Sequence, residues 1–201
     1  RELPLAGSGV SVVDALSFLK LAALGKAPAP DPGAERRVVV AGGGNTAMDA
    51  ARAALRLPGK PAVTIVYRRT AAEMPADREE LEAAMAEGAD FVELALPEAA
   101  RPGTLVVRRM KLGEADASGR RSPVASDETF ELGCGLLVAA IGESPDRELL
   151  EAWGVKVGKD GRPEIAADTL AAGEDLYVVG DARRGPASII AAVADGRRAA
   201  K

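Results

Sequence analysis

A cluster of glycines stands between an apolar run and an alanine-rich run, in the segment RVVVAGGGNTAMDAARAALR. The spacing of Gly42, Gly44 and Ala47 is the GxGxxA form of the dinucleotide-binding fingerprint. Gly42 would make the tight turn, Gly44 would let a pyrophosphate approach the backbone, and Ala47 would keep helix and strand close. Gly43 lies in the same turn and joins the cofactor-binding candidates. Three glycines before a helix also occur as an ordinary turn, so the neighbouring elements must decide.

The helix that follows the glycines is predicted to begin near Asn45 and Thr46. The first backbone N–H groups of a helix have no partner within it and carry partial positive charge, so they attract an anion such as a pyrophosphate. Asn45 or Thr46 could also serve as the N-cap, and Thr46 with Asp49 has the capping-box spacing. Both residues are therefore candidates for binding a phosphate group and for starting the helix.

Two adjacent arginines, Arg68 and Arg69, follow the next apolar run, at a position where NAD-binding sites carry an acid that accepts from the ribose 2′-hydroxyl. Arg68 comes 24 residues after Gly44. Guanidinium groups present forked donors that suit a 2′-phosphate, so the pair predicts a preference for NADPH over NADH. The alternative is that both side chains are simply solvated.

The elements around these residues form a complete βαβ pattern. Residues 37–41 and 62–67 are apolar and rich in β-branched residues, whereas residues 46–57 are rich in alanine. Continuous apolar strands are typical of a parallel sheet that is covered on both faces. We therefore predict an α/β fold with a Rossmann-like NAD(P)-binding domain.

A second candidate site stands near the carboxyl end of the chain. Residues 176–180 predict a strand that ends at Gly180 and Asp181, followed by a loop and a helix from Pro186 to Arg198. The carboxylate could accept from ligand hydroxyls, and the helix start at Ala187 and Ser188 could face a ligand acceptor. Gly–Asp is also a common turn.

The remaining pattern predicts further elements. Ile141 and Gly142 end the apolar strand 136–141, where a missing side chain could admit a ligand, so they join the cofactor-binding candidates. The other predictions are helices over residues 10–24, 72–88 and 148–153, a proline-rich linker over 27–33, strands over 90–96, 104–111 and 129–137, a polar excursion over 113–126 and a hairpin over 155–165.

Composition excludes several classes of function. The net charge is −4 and only 3% of the 201 residues are aromatic, which argues against nucleic acid as a partner. Without histidine, and with Cys134 as the single cysteine, the chain cannot supply a zinc cluster, an iron–sulfur ligand set or a Cys/His nucleophile by itself. We predict no metal site, no catalytic side chain and no membrane span, and the absence of cysteine pairs favours the cytoplasm.

Long segments of the chain resemble the glutamate synthase small-subunit-like flavoproteins, which share a module with dihydropyrimidine dehydrogenase. The matching segments are VVDALSFL at 12–19, VVVAGGGNTAMDAAR at 38–52, VTIVYRRTAAEMPA at 63–76, VAAIGESPD at 138–146 and DLYVVGDARRGPASIIAAVADGRRAA at 175–200.

This resemblance implies an NADPH-binding domain inserted into an FAD-binding domain, with hydride passing from the nicotinamide to the flavin and electrons leaving through iron–sulfur clusters or a partner subunit. The glycine turn with Asn45 and Thr46 would hold the NADPH pyrophosphate, and Arg68 with Arg69 its 2′-phosphate. Asp181 would bind the FAD ribityl chain, and Ala187 with Ser188 would face the flavin pyrimidine edge.

The family's second glycine fingerprint, which binds the FAD adenosine, does not occur in this sequence, so the FAD site would be incomplete and the chain a piece of a longer enzyme. We predict a connecting segment over residues 1–33, an NADPH-binding domain over 34–142 and the C-terminal part of an FAD-binding domain over 143–201. The single Cys134 argues against a thioredoxin reductase, which carries a CxxC motif.

The leading hypothesis is the NADPH-binding portion of an NADPH-dependent FAD oxidoreductase, in which the protein orients the cofactors that do the chemistry. The alternatives are a stand-alone NADPH-sensing regulatory module without catalysis and a scaffold with a vestigial dinucleotide site. A sensor needs only residues 42–69, whereas a flavoenzyme also needs Asp181 and the helix after it.

Overall fold

A computed structural model describes residues 3, 5–7, 9–31, 35–115, 121–142, 144–185 and 187–201. The described residues form two compact units that divide after Gly142. The elements of the first unit, in chain order, are β1 (Ala6–Gly7), β2 (Ser11–Asp14), α1 (Ala15–Ala23), β3 (Arg37–Gly42), α2 (Asn45–Leu55), β4 (Ala62–Tyr67), a 3₁₀ turn (Ala71–Glu73), α3 (Arg78–Ala86), β5 (Asp90–Glu93), β6 (Ala95–Arg101), β7 (Thr104–Ala115), β8 (Arg121–Gly133) and β9 (Leu136–Ala140).

A five-stranded sheet in the order β2-β9-β3-β4-β5 carries the predicted βαβ unit, and all its pairings are parallel. Its neighbour in the same unit is a four-stranded sheet in the order β1-β6-β7-β8, in which β6, β7 and β8 pair antiparallel. The predicted α/β fold with a parallel sheet is confirmed.

Alternation along β3 shows why its sequence is continuously apolar. Val38 and Val40 pack in one core cluster with residues of α1, α2 and α3. Val39 and Ala41 point the other way, into a cluster with residues of β6 and β7. A strand that is covered on both faces needs apolar side chains at every position. The strand's carboxyl end is therefore held rigidly from both sides.

Small residues bring α2 close to the sheet. Five side chains of this helix are completely buried, and four of them are alanines: Ala47, Met48, Ala50, Ala51 and Ala54. Alanine has the highest helix propensity and leaves the backbone free to approach the strands.

The prediction of a helix over residues 10–24 is wrong for the first residues of that range. Residues 11–14 form β2, which pairs with β9 at the edge of the parallel sheet, and the helix begins only at Ala15. Asp14 stops the strand and starts the helix, because its carboxylate accepts from the Ser17 backbone N–H at 2.9 Å. Thus part of the segment 1–33 belongs to the first unit.

Other boundaries also differ from the pattern. The single strand predicted over 90–96 divides at Leu94, whose φ of 51° lets the chain pass from β5 in one sheet to β6 in the other. The helix predicted over 72–88 is a 3₁₀ turn followed by α3. The excursion predicted over 113–126 is largely paired, because β7 reaches Ala115 and β8 begins at Arg121; residues 116–120 lie outside the described residues.

The second unit contains α4 (Arg147–Ala152), α5 (Asp181–Arg184) and α6 (Ile189–Ala199), with a small core of Leu150, Val155 and Val178. Residues 155–165 make one isolated bridge, Val157 with Pro163, instead of a full hairpin. The strand predicted over 176–180 is likewise reduced to a bridge between Tyr177 and Ala171, because no ladder partner lies alongside it in the described part of this unit.

The start of the last helix also differs from the predicted one. The pattern predicts a start at Pro186, which lies outside the described residues, whereas α6 begins at Ile189 with Ser188 as its N-cap. Most of the loop predicted after Asp181 is the short helix α5. Across the described ranges, no helix is long and apolar enough to cross a membrane.

Candidate dinucleotide-binding site

The glycine turn lies at the carboxyl end of β3, the central strand of the parallel sheet. A Cβ on Gly42 would lie 2.2 Å from the carbonyl oxygen of Ala140. The Gly42 backbone has a φ of 158°, which residues with a side chain rarely adopt. Gly42 is therefore a glycine because β9 passes too close for any side chain. Ile141 and Gly142 follow Ala140 directly, so they stand beside the glycine turn; Gly142 is exposed with a φ of 91°.

Gly43 and Gly44 are surrounded differently. A Cβ on Gly43 would lie 2.3 Å from Cε2 of Tyr67, whereas a Cβ on Gly44 would have no atom of the described residues within 4 Å. Gly44 also has ordinary extended dihedrals, φ −97° and ψ 171°. The fold therefore requires the first two glycines, while the third opens onto space that a ligand could fill.

The helix start differs in detail from the prediction. Gly44 is the N-cap of α2, so Asn45 and Thr46 are its first two helical residues and Thr46–Asp49 cannot form a capping box. Its N-cap residue, Gly44, has no side chain that could accept from the first N–H groups of the helix. An uncapped helix start leaves backbone N–H donors and the positive end of the helix dipole directed at the turn. Ala47 is fully buried, consistent with close helix–strand packing.

The side chain of Asn45 is hydrogen-bonded to Asp77, a residue that is not among the predicted site residues. Its Nδ2 donates to the Asp77 carboxylate at 3.0 Å, and its Oδ1 accepts from the Asp77 backbone N–H at 2.9 Å. Asp77 could be recognised in the sequence as a helix N-cap residue following Pro75. Its partner, 32 positions away, could not be found from local pattern.

The two arginines after β4 have different surroundings. Arg68 is exposed, whereas Arg69 is half-buried and its Nε donates to the carbonyl oxygen of Arg121 at 2.8 Å. The backbone of Arg69 is also held, since its carbonyl accepts from Leu94 N–H at 3.0 Å. Both follow Tyr67 on the strand next to β3, so the sheet brings them to the same edge as the glycine turn.

An acid does lie near this strand end, although the second strand itself supplies none. Glu93 ends β5 opposite Tyr67, and its carboxylate accepts from the Ala71 backbone N–H at 3.0 Å. Sequence spacing missed Glu93 because it comes from the neighbouring strand. Its hydrogen bond holds the chain that leaves Arg69.

The candidates in the second unit surround the turn into α5. Gly180 has a φ of 63°, and its N–H donates at 3.1 Å to Asp195, a buried acid that the sequence analysis did not select. The exposed carboxylate of Asp181 accepts from the Ala187 N–H at 3.2 Å. Ser188 accepts from the Ala191 N–H at 3.2 Å, which makes it the cap of α6.

A family model for pyridine nucleotide-disulphide oxidoreductases matches residues 2–196. The chain belongs to this family. Its relatives include the "Putative oxidoreductase YgfK" of Escherichia coli (strain K12), which is 47% identical over 97% of this chain and 19% of its own length. The beta subunit of NADP(+)-dependent formate dehydrogenase from Moorella thermoacetica is 44% identical over 84% of this chain and 25% of its own length.

The predicted resemblance to glutamate synthase small subunits is confirmed. The glutamate synthase (NADPH) small chain of Azospirillum brasilense is 35% identical over all of this chain and 45% of its own length. The family member described here thus spans about a fifth of the length of YgfK and less than half of the glutamate synthase chain.

Solved structures share the fold. FprA from Mycobacterium tuberculosis, determined in complex with NADPH, superimposes with a TM-score of 0.69 at 21% identity, covering 99% of this chain and 58% of that chain. Thioredoxin reductase from Lactococcus lactis gives 0.66 at 22% identity, covering all of this chain and 60% of that chain.

Proposed function

We propose that this chain is the NADPH-binding portion of a flavin-dependent oxidoreductase of the glutamate synthase small-subunit type. Residues 34–142 would bind NADPH, and residues 143–201 would form the C-terminal part of an FAD-binding domain, with residues 1–33 leading in from it. When both cofactors are bound, NADPH would supply a hydride to FAD, with electrons passing on to iron–sulfur clusters or a partner subunit.

The observation that carries the proposal is the open space at Gly44, in front of an uncapped helix. Any residue could adopt the Gly44 dihedrals, and among the described residues no atom lies within 4 Å of a Cβ built there. Neither backbone strain nor crowding explains the glycine, and a ligand that must approach the backbone would require one. A pyrophosphate fits this requirement, because the N–H groups at the start of α2 would bind it without a charged side chain.

The choice of NADPH follows from Arg68 and Arg69. A 2′-phosphate at the end of β4 would meet two guanidinium groups, which bind phosphate through forked, charge-assisted hydrogen bonds, whereas the 2′-hydroxyl of NADH carries no charge for them to attract. Arg69 is held in place through Arg121, and Arg68 is exposed beside it. Relatives whose names include NADPH or NADP(+) support this choice.

The FAD contribution of this chain would be the Asp181 carboxylate and the start of α6. Asp195 holds the Gly180 turn through the Gly180 N–H, and Asp181, the first residue of α5, is exposed and accepts from the Ala187 N–H. An exposed carboxylate is suited to accept from the hydroxyls of a ribityl chain. The other groups of the flavin site would come from a longer polypeptide, in keeping with the greater length of the relatives.

Titration with reduced nucleotides tests the first proposal. Wild-type protein should bind NADPH at least roughly tenfold more tightly than NADH, and Arg68→Ala with Arg69→Ala should abolish the difference. Arg78→Ala is the matched control, because Arg78 is an exposed arginine on α3 that pairs with Glu82. Equal affinities of the wild type for the two nucleotides would refute the preference.

Flavin content tests the second proposal. A full-length parent protein should purify yellow and lose its flavin on Asp181→Ala, whereas Asp175→Ala, an exposed acid of the same unit, should leave the flavin bound. A colourless parent that still binds NADPH would instead support the regulatory sensor.

A further inference from the structure

Asn45 and Asp77 form a reciprocal pair between the starts of two helices. Asn45 is the first residue of α2, and Asp77 is the N-cap of α3. The pair has two hydrogen bonds, from Asn45 Nδ2 to the Asp77 carboxylate at 3.0 Å and from the Asp77 N–H to Asn45 Oδ1 at 2.9 Å. Both ends of the Asn45 amide are thus directed at the same residue.

Asp77 makes this pair instead of capping its own helix. Aspartate at an N-cap ordinarily accepts from a backbone N–H two or three residues later. At the start of α3 no such side-chain bond is present. The carboxylate instead accepts from Asn45. Asp77 therefore links the starts of α2 and α3 and does not cap α3.

The pair lies at the end of residues 70–77, which we name the bridging segment. This segment spans the candidate site. It begins directly after Arg69 and ends beside the first turn of α2. Three further hydrogen bonds hold it: the Ala71 N–H donates to the Glu93 carboxylate at 3.0 Å, the Ala76 N–H donates to the Gly43 carbonyl at 3.0 Å, and the Tyr67 hydroxyl donates to the Glu73 carbonyl at 3.1 Å. It therefore connects the arginine end of the site to the glycine end.

We propose that Asn45 and Asp77 are positioning residues for the dinucleotide. Together they hold the bridging segment against the glycine turn. This fixes the backbone conformation of the Gly43–Gly44 peptide and of the chain that follows Arg69. This inference rests on the proposed binding of NADPH. It assigns Asn45 a role through Asp77 in place of direct contact with the pyrophosphate, and it gives Asp77 a function that its exposure alone does not suggest.

A double-mutant cycle tests the pair in the 201-residue chain. NADPH affinity is measured by nucleotide fluorescence for wild type, Asn45→Ala, Asp77→Ala and the double variant. Each single variant should bind NADPH about fivefold more weakly, and the double variant should be no weaker than either, because removal of one partner already breaks the unit. Thermal unfolding of each variant shows that binding is measured on folded protein.

Asp77→Asn is the conservative control. Its side-chain oxygen can still accept from Asn45 Nδ2, and its backbone N–H is unchanged, so NADPH affinity should stay within about twofold of wild type. Hydrogen exchange at the Ala76 amide gives a readout without nucleotide: protection should fall in Asp77→Ala and remain in Asp77→Asn. If the pair had a purely structural role, Asp77→Ala would lower the unfolding temperature. NADPH affinity would not then fall in Asp77→Ala and recover in Asp77→Asn.

Three outcomes would overturn the inference. Asp77→Ala could bind NADPH like wild type while Asn45→Ala is impaired, which would show that Asn45 contacts the nucleotide directly. The two effects could multiply in the double variant, which would show independent roles. Wild-type protein that binds no NADPH would overturn the proposed function and this inference with it, whereas the first two outcomes would leave the proposed function standing.

Discussion

The aromatic ring of Tyr67 fills the space that a side chain at Gly43 would need. A Cβ on Gly43 would lie 2.3 Å from the ring atom Cε2, and Tyr67 is only 6% exposed. The ring is also held at its far end, where the hydroxyl donates to the Glu73 carbonyl at 3.1 Å. The end of β4 is therefore packed tightly against the turn after β3.

Gly43→Ala should destabilise the first unit, because neither the ring nor the backbone can move aside freely. We expect a loss of about 1 to 3 kcal/mol in the free energy of unfolding, the range typical of overpacked cores. Urea unfolding followed by circular dichroism measures it. Combining the change with Tyr67→Ala should cost less than the sum of the two single changes, and strict additivity would contradict the packing argument.

Gly44→Ala should have the opposite profile. Among the described residues no atom lies within 4 Å of the added methyl group, and the backbone already has ordinary dihedrals, so the free energy of unfolding should fall by no more than about 1 kcal/mol, the cost of alanine at an N-cap. NADPH affinity should nevertheless fall by roughly tenfold or more, because the methyl group occupies the path of the pyrophosphate. Parallel unfolding and nucleotide titrations check both halves, and unchanged affinity would remove the main support for the site.

Local pattern predicted the part of the site that is built locally. The strand β3, the turn at Gly42, Gly43 and Gly44, and the helix α2 are consecutive in sequence, and each follows from residue type and spacing. The predicted N-cap lies one or two residues after Gly44, the actual one, because Asn45 and Thr46 are both good caps in isolation. In the folded chain Asn45 is instead bound to Asp77.

The features that sequence reasoning missed depend on distant partners. Strand β2 forms because Ser11–Asp14 lies beside β9, more than 120 residues later, and no local window contains that pairing. Glu93 reaches the site from a neighbouring strand, and Asp195 reaches the Gly180 turn from α6. The strand predicted over 176–180 shows the reverse: its residues suit a strand, but a strand also needs a neighbour to pair with.

Cys134 should be unreactive in the folded protein. The residue is completely buried after β8, and burial raises the pKa of its thiol to about 11. The reactive thiolate is therefore scarce at pH 8, whereas the thiol of an unfolded chain, with a pKa near 8.5, is partly ionised. Labelling by a disulfide reagent should be at least about a hundredfold slower in native buffer than in urea. Comparable rates in the two solutions would show that the site opens readily.

Asp195 should make the second unit sensitive to acid. Its side chain is 4% exposed and accepts from the Gly180 N–H and from the guanidinium groups of Arg183 and Arg184. Hydrogen bonds from Arg183, and then from Arg184, hold the pKa of Asp195 well below the ordinary aspartate range. A carboxylate with a lowered pKa in the folded state stabilises the protein above its unfolded pKa, which is about 3.9, and this stabilisation is lost as the pH falls further.

The expected result of Asp195→Asn is a fall of several degrees in the unfolding temperature at pH 7, since two guanidinium groups lose their shared anionic partner. The difference between wild type and variant should shrink as the pH falls below about 4, where the unfolded wild-type chain takes up a proton that the folded one resists. Fluorescence of Trp153, the single tryptophan and a residue of this unit, reports the transition. Asp175→Asn serves as the exposed control, and a difference that stays constant from pH 3 to pH 7 would show that the carboxylate charge is not what stabilises the turn.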